Sequence, residues 1–273
     1  MVTLDEGGWL GRDAEVAVCP AATSDVIEHT FTLDMSGAAH RDWTVVPDGS
    51  AHIIATRAES TRVALVGARR TATRLDVRNR CWTVGIRLRP GALPLLTGLP
   101  AGDFTDRAVG LDELWYGRTS LVHDALAAAT SAPEMLDALV AFVVDLPARS
   151  PQRDWRARAL EKHLRITPFR VGTTAERMGL SVRSLRNVST DLIGLAPKRL
   201  ARIERLQRAI ALAAGACRPA WSRVALRAGF ADQAHLTREY RALISETPGR
   251  YHRRGRRASC RFVQSRPRAS GTS

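Results

Sequence analysis

The sequence predicts an α+β N-terminal domain, strand-rich and followed by helices, joined to an all-α C-terminal domain. Three observations support this fold class. Short β-branched segments dominate as far as residue 89, apolar residues then recur at three- and four-residue steps, and the charge changes sign near residue 153. Residues 1–153 hold 15 Lys and Arg against 19 Asp and Glu, a net charge of −4, whereas residues 154–273 hold 26 against 8, a net charge of +18. We therefore place domains at residues 1–150 and 151–258, with a disordered basic tail at 259–273.

Four segments of the N-terminal domain are predicted strands because they are short, rich in β-branched residues and separated by turn residues. Pro47-Asp48-Gly49 is one of these turns, since Pro presets one backbone dihedral angle and Gly supplies a positive one. The pattern is compatible with a small barrel. The four segments are Trp43–Val46, His52–Ala55, Arg62–Val66 and Trp82–Leu88.

The segment from Asp112 to Leu146 has a helical period. It predicts two helices that are broken near Ser131-Ala132-Pro133, with Leu121 and Ala125 on the apolar stripe. A polar segment with two prolines follows at residues 147–153 and is the predicted linker between the domains.

Every segment after the linker favours helix. Pro197 suits a first helical position, and Gly194 and Gly215 suit helix ends. The helix that begins at Pro197 has one apolar stripe and is predicted to connect its neighbours rigidly. The predicted helices are Trp155–Leu164, Val171–Met178, Val182–Ile193, Pro197–Ala214, Ser222–Ala228 and Gln233–Leu243, with a last turn at Pro248–Tyr251.

One short pattern occurs twice in this basic domain. The copies are Ala175-Glu-Arg-Met-Gly179-Leu180 followed by Leu185, and Ala225-Leu-Arg-Ala-Gly229-Phe230 followed by Leu236. In each copy a small residue allows two helices to approach closely, and the glycine takes the left-handed conformation that ends the first helix. Such patterns are typical of helix-turn-helix motifs, whose second helix enters a DNA major groove. The predicted core residues of the two motifs are Met178, Leu180, Leu185, Val188, Val224, Phe230, Leu236 and Tyr240.

Residues from about Val171 to Arg253 resemble the DNA-binding domain of the AraC/XylS family of transcription regulators. The resemblance is carried by Leu180-Ser181, Gly194-Leu-Ala-Pro197, Arg205-Leu206, Gly229-Phe230, Asp232–Tyr240 and Thr247-Pro248. It implies two helix-turn-helix motifs joined by a long helix, with their recognition helices in successive major grooves of double-stranded DNA. It also implies base contacts from Arg183, Arg186 and Asn187 in the first recognition helix and from Gln233, His235 and Arg238 in the second, with phosphate contacts from Arg199 and Thr237. The family usually has Phe where this sequence has Ser189.

Residues from about Val16 to Leu146 resemble the uncharacterised domain that precedes AraC-type DNA-binding domains in many bacterial regulators. The matching motifs are Trp43-Thr-Val-Val-Pro47-Asp48-Gly49 and Val84-Gly-Ile-Arg-Leu-Arg-Pro90-Gly91-Ala92. That domain has an acidic residue near Ala51–His52, where this chain has His52. We expect the N-terminal domain to sense a small-molecule effector or to form a weak homodimer through Asp112–Leu146. We also expect it to govern DNA binding without touching DNA, because of its negative charge.

The sequence does not predict an enzyme. We expect no catalytic residue, cofactor or metal site, because the chain has no P-loop, dinucleotide glycine fingerprint, nucleophile elbow or metalloprotease helix, and His40 and His52 alone do not make a metal site. The four cysteines are predicted to be reduced thiols, since no pair has the spacing of a zinc site or a disulfide frame. They are Cys19, Cys81, Cys217 and Cys260. No leader sequence and no run of roughly 20 apolar residues is present, which predicts no membrane span and a cytoplasmic location.

Two other functions stay open at the level of sequence. The first is a DNA-tethered enzyme of the repair type, which would need a nucleophilic cysteine in a basic setting that neither Cys19 nor Cys81 has among its sequence neighbours. The second is a nonspecific architectural protein, which would bind random and promoter DNA about equally. Base-facing Arg and Asn residues predict instead a specificity ratio of roughly 10³ or more.

Overall fold

The structure is a computed structural model that describes residues 14–18, 25–34, 41–77, 82–147, 154–165, 170–214 and 216–254. Most of the predicted linker and the predicted tail at 259–273 lie outside the described residues, as do His40, Cys19, Cys81 and Cys260.

The N-terminal part of the chain is rich in strands, as predicted. Six strands form one antiparallel sheet in the order β1-β2-β7-β4-β5-β8, and the remaining two, β3 and β6, pair with each other. The strands are β1 (Ala14–Val18), β2 (Ile27–Asp34), β3 (Arg41–Val45), β4 (His52–Arg57), β5 (Thr61–Val66), β6 (Thr73–Val77), β7 (Trp82–Leu88) and β8 (Ala108–Gly110). The four predicted strands correspond to β3, β4, β5 and β7.

The large sheet is open and does not close into the small barrel that the sequence also allowed. In the described part of the chain β1 and β8 are its two edges and do not pair with each other. Helices cover both faces of the sheet, and for this reason its apolar residues are buried without closure into a barrel.

Four α-helices and one short 3-10 helix follow β7, and β8 lies between the 3-10 helix and α2. They are α1 (Ala92–Thr97), the 3-10 helix Ala101–Phe104, α2 (Leu111–Leu114), α3 (Ser120–Ala128) and α4 (Ala132–Asp145). The predicted break near Ser131 is confirmed, because the Ser131 side chain accepts a hydrogen bond from the N–H of Glu134 and caps α4. The predicted stripe of α3 is wrong in part. Val122 and Leu126 face the core, whereas Leu121 is 80% exposed and Ala125 is also exposed.

The C-terminal part of the described chain is all helix. Its helices are α5 (Trp155–Arg165), α6 (Val171–Arg177), α7 (Val182–Ile193), α8 (Pro197–Ala214), α9 (Trp221–Ala228) and α10 (Gln233–Ile244), and residues 248–254 are also helical. The bounds of α7 and α8 agree with the prediction, and the last helical segment is longer than the single turn predicted at Pro248–Tyr251.

The two parts of the chain share apolar cores. Phe31, Leu33 and Val46 of the N-terminal part pack in one cluster with buried residues of α8, α9 and α10. Ala68, between β5 and β6, packs in a second cluster with residues of α5, α6, α7 and α8. The N-terminal part therefore contacts both of the regions that contain the repeated sequence pattern.

The Pro47-Asp48-Gly49 turn lies against α8. The side-chain Nε2 of Gln207 donates a hydrogen bond to the carbonyl oxygen of Pro47 at 2.7 Å. Gly49 has a φ of +78°, and a Cβ atom added to it would lie 3.0 Å from Leu200 Cδ2. Glycine is thus required both for the turn and for the close approach to α8.

Asp48 is a buried carboxylate at the centre of an ionic cluster. Its Oδ2 lies 3.2 Å from Arg87 Nε and 3.2 Å from His52 Nε2, and its Oδ1 accepts the N–H of Ser50 at 3.1 Å. Arg87 Nε also lies 3.3 Å from Glu28 Oε2. His52, which replaces the acidic residue of the resembling domain, is thus a partner of Asp48.

Candidate nucleic-acid interface

The two repeated patterns fold into the same backbone geometry. Gly179 and Gly229 have φ values of +63° and +89°, and each ends the first helix of its motif. In each motif the residue after the glycine donates its N–H to the carbonyl oxygen of the alanine four places before the glycine, at 2.9 Å. The pairs are Leu180 with Ala175 and Phe230 with Ala225. This hydrogen bond across a left-handed glycine is that of a Schellman motif, so both predicted turns are confirmed.

The second helix of each motif, α7 or α10, begins at a capped residue. Ser181 Oγ accepts the N–H of Ser184 at 3.0 Å, and Asp232 Oδ1 accepts the N–H of His235 at 2.6 Å. Each cap satisfies an N–H group that the helix itself leaves unpaired. The first turns of both helices, which carry predicted base-contacting residues, are therefore held in one conformation.

Helix α7 has one buried face and one polar, exposed face. Leu185, Val188 and Leu192 are buried, and the predicted base-contacting residues Arg183, Arg186 and Asn187 are exposed. A guanidinium can donate two hydrogen bonds to guanine, and an amide can exchange two with adenine. The exposed face of α7 thus presents the chemistry needed to distinguish bases.

Helix α10 presents its three predicted base-contacting residues differently. Gln233 and Arg238 are exposed. His235 is partly buried, because its ring packs edge-on against Phe230 with centroids 5.3 Å apart. Its Nδ1 accepts the N–H of Ala231 at 3.4 Å, which leaves Nε2 as the hydrogen-bond donor. His235 can therefore donate to an acceptor on a base edge but cannot make a two-bond contact.

Thr237, a predicted phosphate contact, is engaged within α10. Its Oγ1 donates to the carbonyl oxygen of Gln233 at 2.9 Å. A phosphate accepts but does not donate hydrogen bonds, so the Thr237 hydroxyl would have to rotate away from Gln233 to bind one.

Ser189 replaces the aromatic residue of the resembling family without leaving a polar group unpaired. It is fully buried between α7 and the start of α8, and its Oγ donates to the carbonyl oxygen of Leu195 at 2.5 Å. A hydrogen bond to the α7–α8 connection thus takes the place of an aromatic contact in the first motif.

Arg199, the other predicted phosphate contact, lies in a cluster of cations. Burial lowers its pKa, and the neighbouring guanidinium groups of Arg202 and Arg70 lower it further, against the opposite effect of Glu239 and Asp106. An anion would relieve this repulsion. Arg70 belongs to the N-terminal part of the chain and was not predicted to lie here, because nothing in its local sequence indicates a neighbour so distant along the chain.

Comparisons with known families agree with this geometry. A family model described as a helix-turn-helix domain matches residues 174–254. These residues form an AraC-type helix-turn-helix domain. The AraC-type domain places the chain among the DNA-binding transcription regulators. A second family model, described as a domain of unknown function, DUF6597, matches residues 19–110.

Solved structures of ToxT from Vibrio cholerae resemble most of the chain weakly. An apo single-site variant from strain SCE256 is 10% identical, with 88% of this chain and 97% of that chain covered and a TM-score of 0.44. The wild-type protein from the same strain with a bound unsaturated fatty acid is 12% identical, with 89% and 96% covered and a TM-score of 0.42. None of the curated proteins compared with the chain matches it.

Three further observations concern only the residues that the structure describes. They contain no group of three or more His, Cys, Asp or Glu side chains placed to hold a metal ion. No helix among them is long and apolar enough to span a membrane. Cys217 is an exposed free thiol.

Proposed function

We propose that the chain regulates transcription by binding specific double-stranded DNA, with α7 and α10 as recognition helices in successive major grooves. The observation that supports this proposal is the shared geometry of the two motifs. Each has a capped second helix whose inner face is buried and whose outer face exposes side chains able to read bases. Recognition helices in adjacent grooves on one DNA face would lie roughly 34 Å apart.

The assigned contacts divide into two groups. We propose that Arg183, Arg186 and Asn187 read bases in one groove and that Gln233, His235 and Arg238 read them in the next. Arg199 and Thr237 bind phosphate, which positions the protein without reading sequence. The domain boundaries near residues 150 and 258 belong to the same proposal, with the DNA-binding domain between them.

Selection of bound fragments from genomic DNA tests the proposal directly. We expect one enriched sequence with two elements about one helical turn apart, bound roughly 10³-fold or more tightly than random DNA. Equal affinity for selected and random fragments would show that the chain is an architectural DNA-binding protein rather than a specific regulator.

We propose that the N-terminal part regulates DNA binding by sensing a small molecule. A cleft of about 440 Å³ lies against the 3-10 helix and has both apolar and charged walls. Phe104, Val109 and Leu114 contribute apolar surface, and Arg107 and Asp103 contribute charge. The same 3-10 helix contacts the first recognition helix, where Gly102 lies near Thr190. A molecule bound in the cleft would therefore be separated from α7 only by the 3-10 helix.

We also propose weak self-association through Asp112–Leu146. Tyr116, Leu121 and Val144 lie in this segment and are 94%, 80% and 54% exposed. Sedimentation of the full chain at high micromolar concentration should show dimers, and Tyr116→Ser with Leu121→Ser should abolish them because apolar contact surface is lost. Leu226→Ser, at a position of α9 that is 65% exposed, is the control and should leave dimers unchanged. A strictly monomeric wild type would contradict the proposal.

A further inference from the structure

The C-terminal ends of α7 and α10 are both bound by the N-terminal part of the chain. At the end of α7, the N–H of Gly91 donates to the carbonyl oxygen of Leu192 at 2.9 Å. Beside it, Thr105 Oγ1 donates to the carbonyl oxygen of Gly194 at 2.6 Å. At the end of α10, the N–H of Ala72 donates to the carbonyl oxygen of Leu243 at 2.7 Å. The N-terminal part thus binds carbonyl groups that the helix ends leave unpaired.

Asp106 joins these two contact points. Its N–H donates to the carbonyl oxygen of Ala68 at 3.1 Å, and its Oδ1 accepts the N–H of Arg70 at 2.8 Å. Its carbonyl oxygen accepts a hydrogen bond from Arg69 Nη1 at 3.1 Å. Asp106 therefore fixes the segment 67–72, which reaches α10 through Ala72, to Thr105, which reaches α7.

The backbone of Asp106 is itself in an unusual conformation. Its φ is +59°, and Asp106 and Ser245 are the two non-glycine residues with positive φ in the described chain. Such a conformation costs free energy and persists where surrounding contacts hold it. The hydrogen bonds of Asp106 to Ala68, Arg69 and Arg70 are contacts of this kind.

The contacts of the N-terminal part connect the two motifs a second time, in addition to α8, and this second connection limits how far the motifs can move relative to each other. The buried apolar residues around the first motif and those around the second form separate clusters, and α8 runs through both. Helix α8 has 18 residues and is about 27 Å long, so small bends or twists of it change the relative position of α7 and α10. The N-terminal part contacts both clusters and both helix ends, and so opposes such changes.

We propose that Thr105, Asp106 and the segment 67–72 form a brace that holds the two recognition helices at one spacing, with Asp106 as its positioning residue. The inference rests on the proposed assignment of α7 and α10 as recognition helices. It gives the N-terminal part a direct influence on DNA recognition, because the brace determines which spacing between the two DNA elements is bound.

Asp106→Gly tests the brace with little risk to folding. Glycine adopts a positive φ without strain, so the variant keeps the backbone and loses only the carboxylate that binds Arg70. Ser245→Gly is the matched control, since it relieves the same backbone conformation at the end of α10 without removing a contact of the brace. Circular dichroism should show unchanged helix content in both variants.

Two measurements report on the brace. The first compares binding to the selected DNA and to versions with one base pair inserted or removed between its two elements. Wild type and Ser245→Gly should prefer the selected spacing by about tenfold or more, and Asp106→Gly should lose most of that preference. An unchanged preference in Asp106→Gly would overturn the brace.

The second measurement needs no DNA. Spin labels at Ser184→Cys on α7 and Ala234→Cys on α10, with the four native cysteines replaced by Ser, give the distribution of distances between the two helices. We expect one narrow distribution in wild type and in Ser245→Gly, and a broad one in Asp106→Gly. Narrow distributions in all three would overturn the brace. If wild type instead bound all DNA sequences equally, the proposed function would be wrong. The distance measurement would still show whether the brace holds α7 and α10 at one spacing.

Discussion

Replacing Arg183 and Arg238 together by Ala is expected to weaken binding to the selected DNA by about 2–6 kcal/mol. In the proposed function each Arg makes a two-bond contact with a base that is worth roughly 1–3 kcal/mol, and the two lie on different helices, so their effects should add. Binding to random DNA should fall far less. Fluorescence anisotropy with labelled duplexes at one fixed salt concentration measures both affinities.

Two comparisons make this result specific. Arg62→Ala with Arg118→Ala removes the same charge from exposed positions of the N-terminal part and should leave the preference for the selected DNA intact. Arg199→Ala should weaken binding to all sequences alike and reduce the slope of log K against log salt by about 1, because the contact proposed for Arg199 is with phosphate. An equal loss on selected and random DNA for the double variant would show that Arg183 and Arg238 do not read bases.

Replacing Asp48 by Ala is expected to lower the free energy of unfolding by about 3 kcal/mol, since it leaves the buried His52 and the partly buried Arg87 without their shared carboxylate, although Arg87 keeps Glu28 as a partner. Asp124→Ala, which removes an exposed carboxylate on α3, is the control and should change stability by less than about 0.5 kcal/mol. Denaturant unfolding followed by tryptophan fluorescence measures both. A loss no larger than that of the control would show that the ionic cluster does not stabilise the fold.

The effect of Asp48 should also depend on pH. Burial alone would raise its pKa, but Arg87, His52 and the hydrogen bond from Ser50 outweigh burial and hold the pKa of Asp48 well below its usual range. A carboxyl group with a lowered pKa stabilises the fold above its unfolded value of 3.8, and this stability is lost as the pH falls further. The difference in stability between wild type and Asp48→Ala should therefore be full at neutral pH and shrink below about pH 4.

The pKa of Glu204, on α8, is raised, whereas the pKa of Asp48 is lowered. Burial raises its pKa, against the attraction of Arg87 and Arg208, and Asp48 and Glu28 raise it further. The ionised form of Glu204 is thus disfavoured at the same junction where the ionised form of Asp48 is favoured.

The sequence by itself determined the parts of this protein that depend on neighbouring residues. The turns at Gly179 and Gly229 follow from a local requirement for a left-handed residue, and the bounds of α7 and α8 follow from caps and from Pro197, each within a few residues of its effect. The exposed positions of Arg183, Arg186 and Asn187 follow from the helical period of the apolar residues beside them.

Only the tertiary structure decided the features that join distant segments. The open sheet depended on helices that cover both of its faces, and the partner of His52 depended on how the Pro47-Asp48-Gly49 turn folds back. Arg70 lies near Arg199, and Asp106 links the ends of α7 and α10, because strands β5 and β8 pair and carry their connections to the helical part. No local pattern records such contacts, since the interacting groups are brought together by packing rather than by their spacing along the chain.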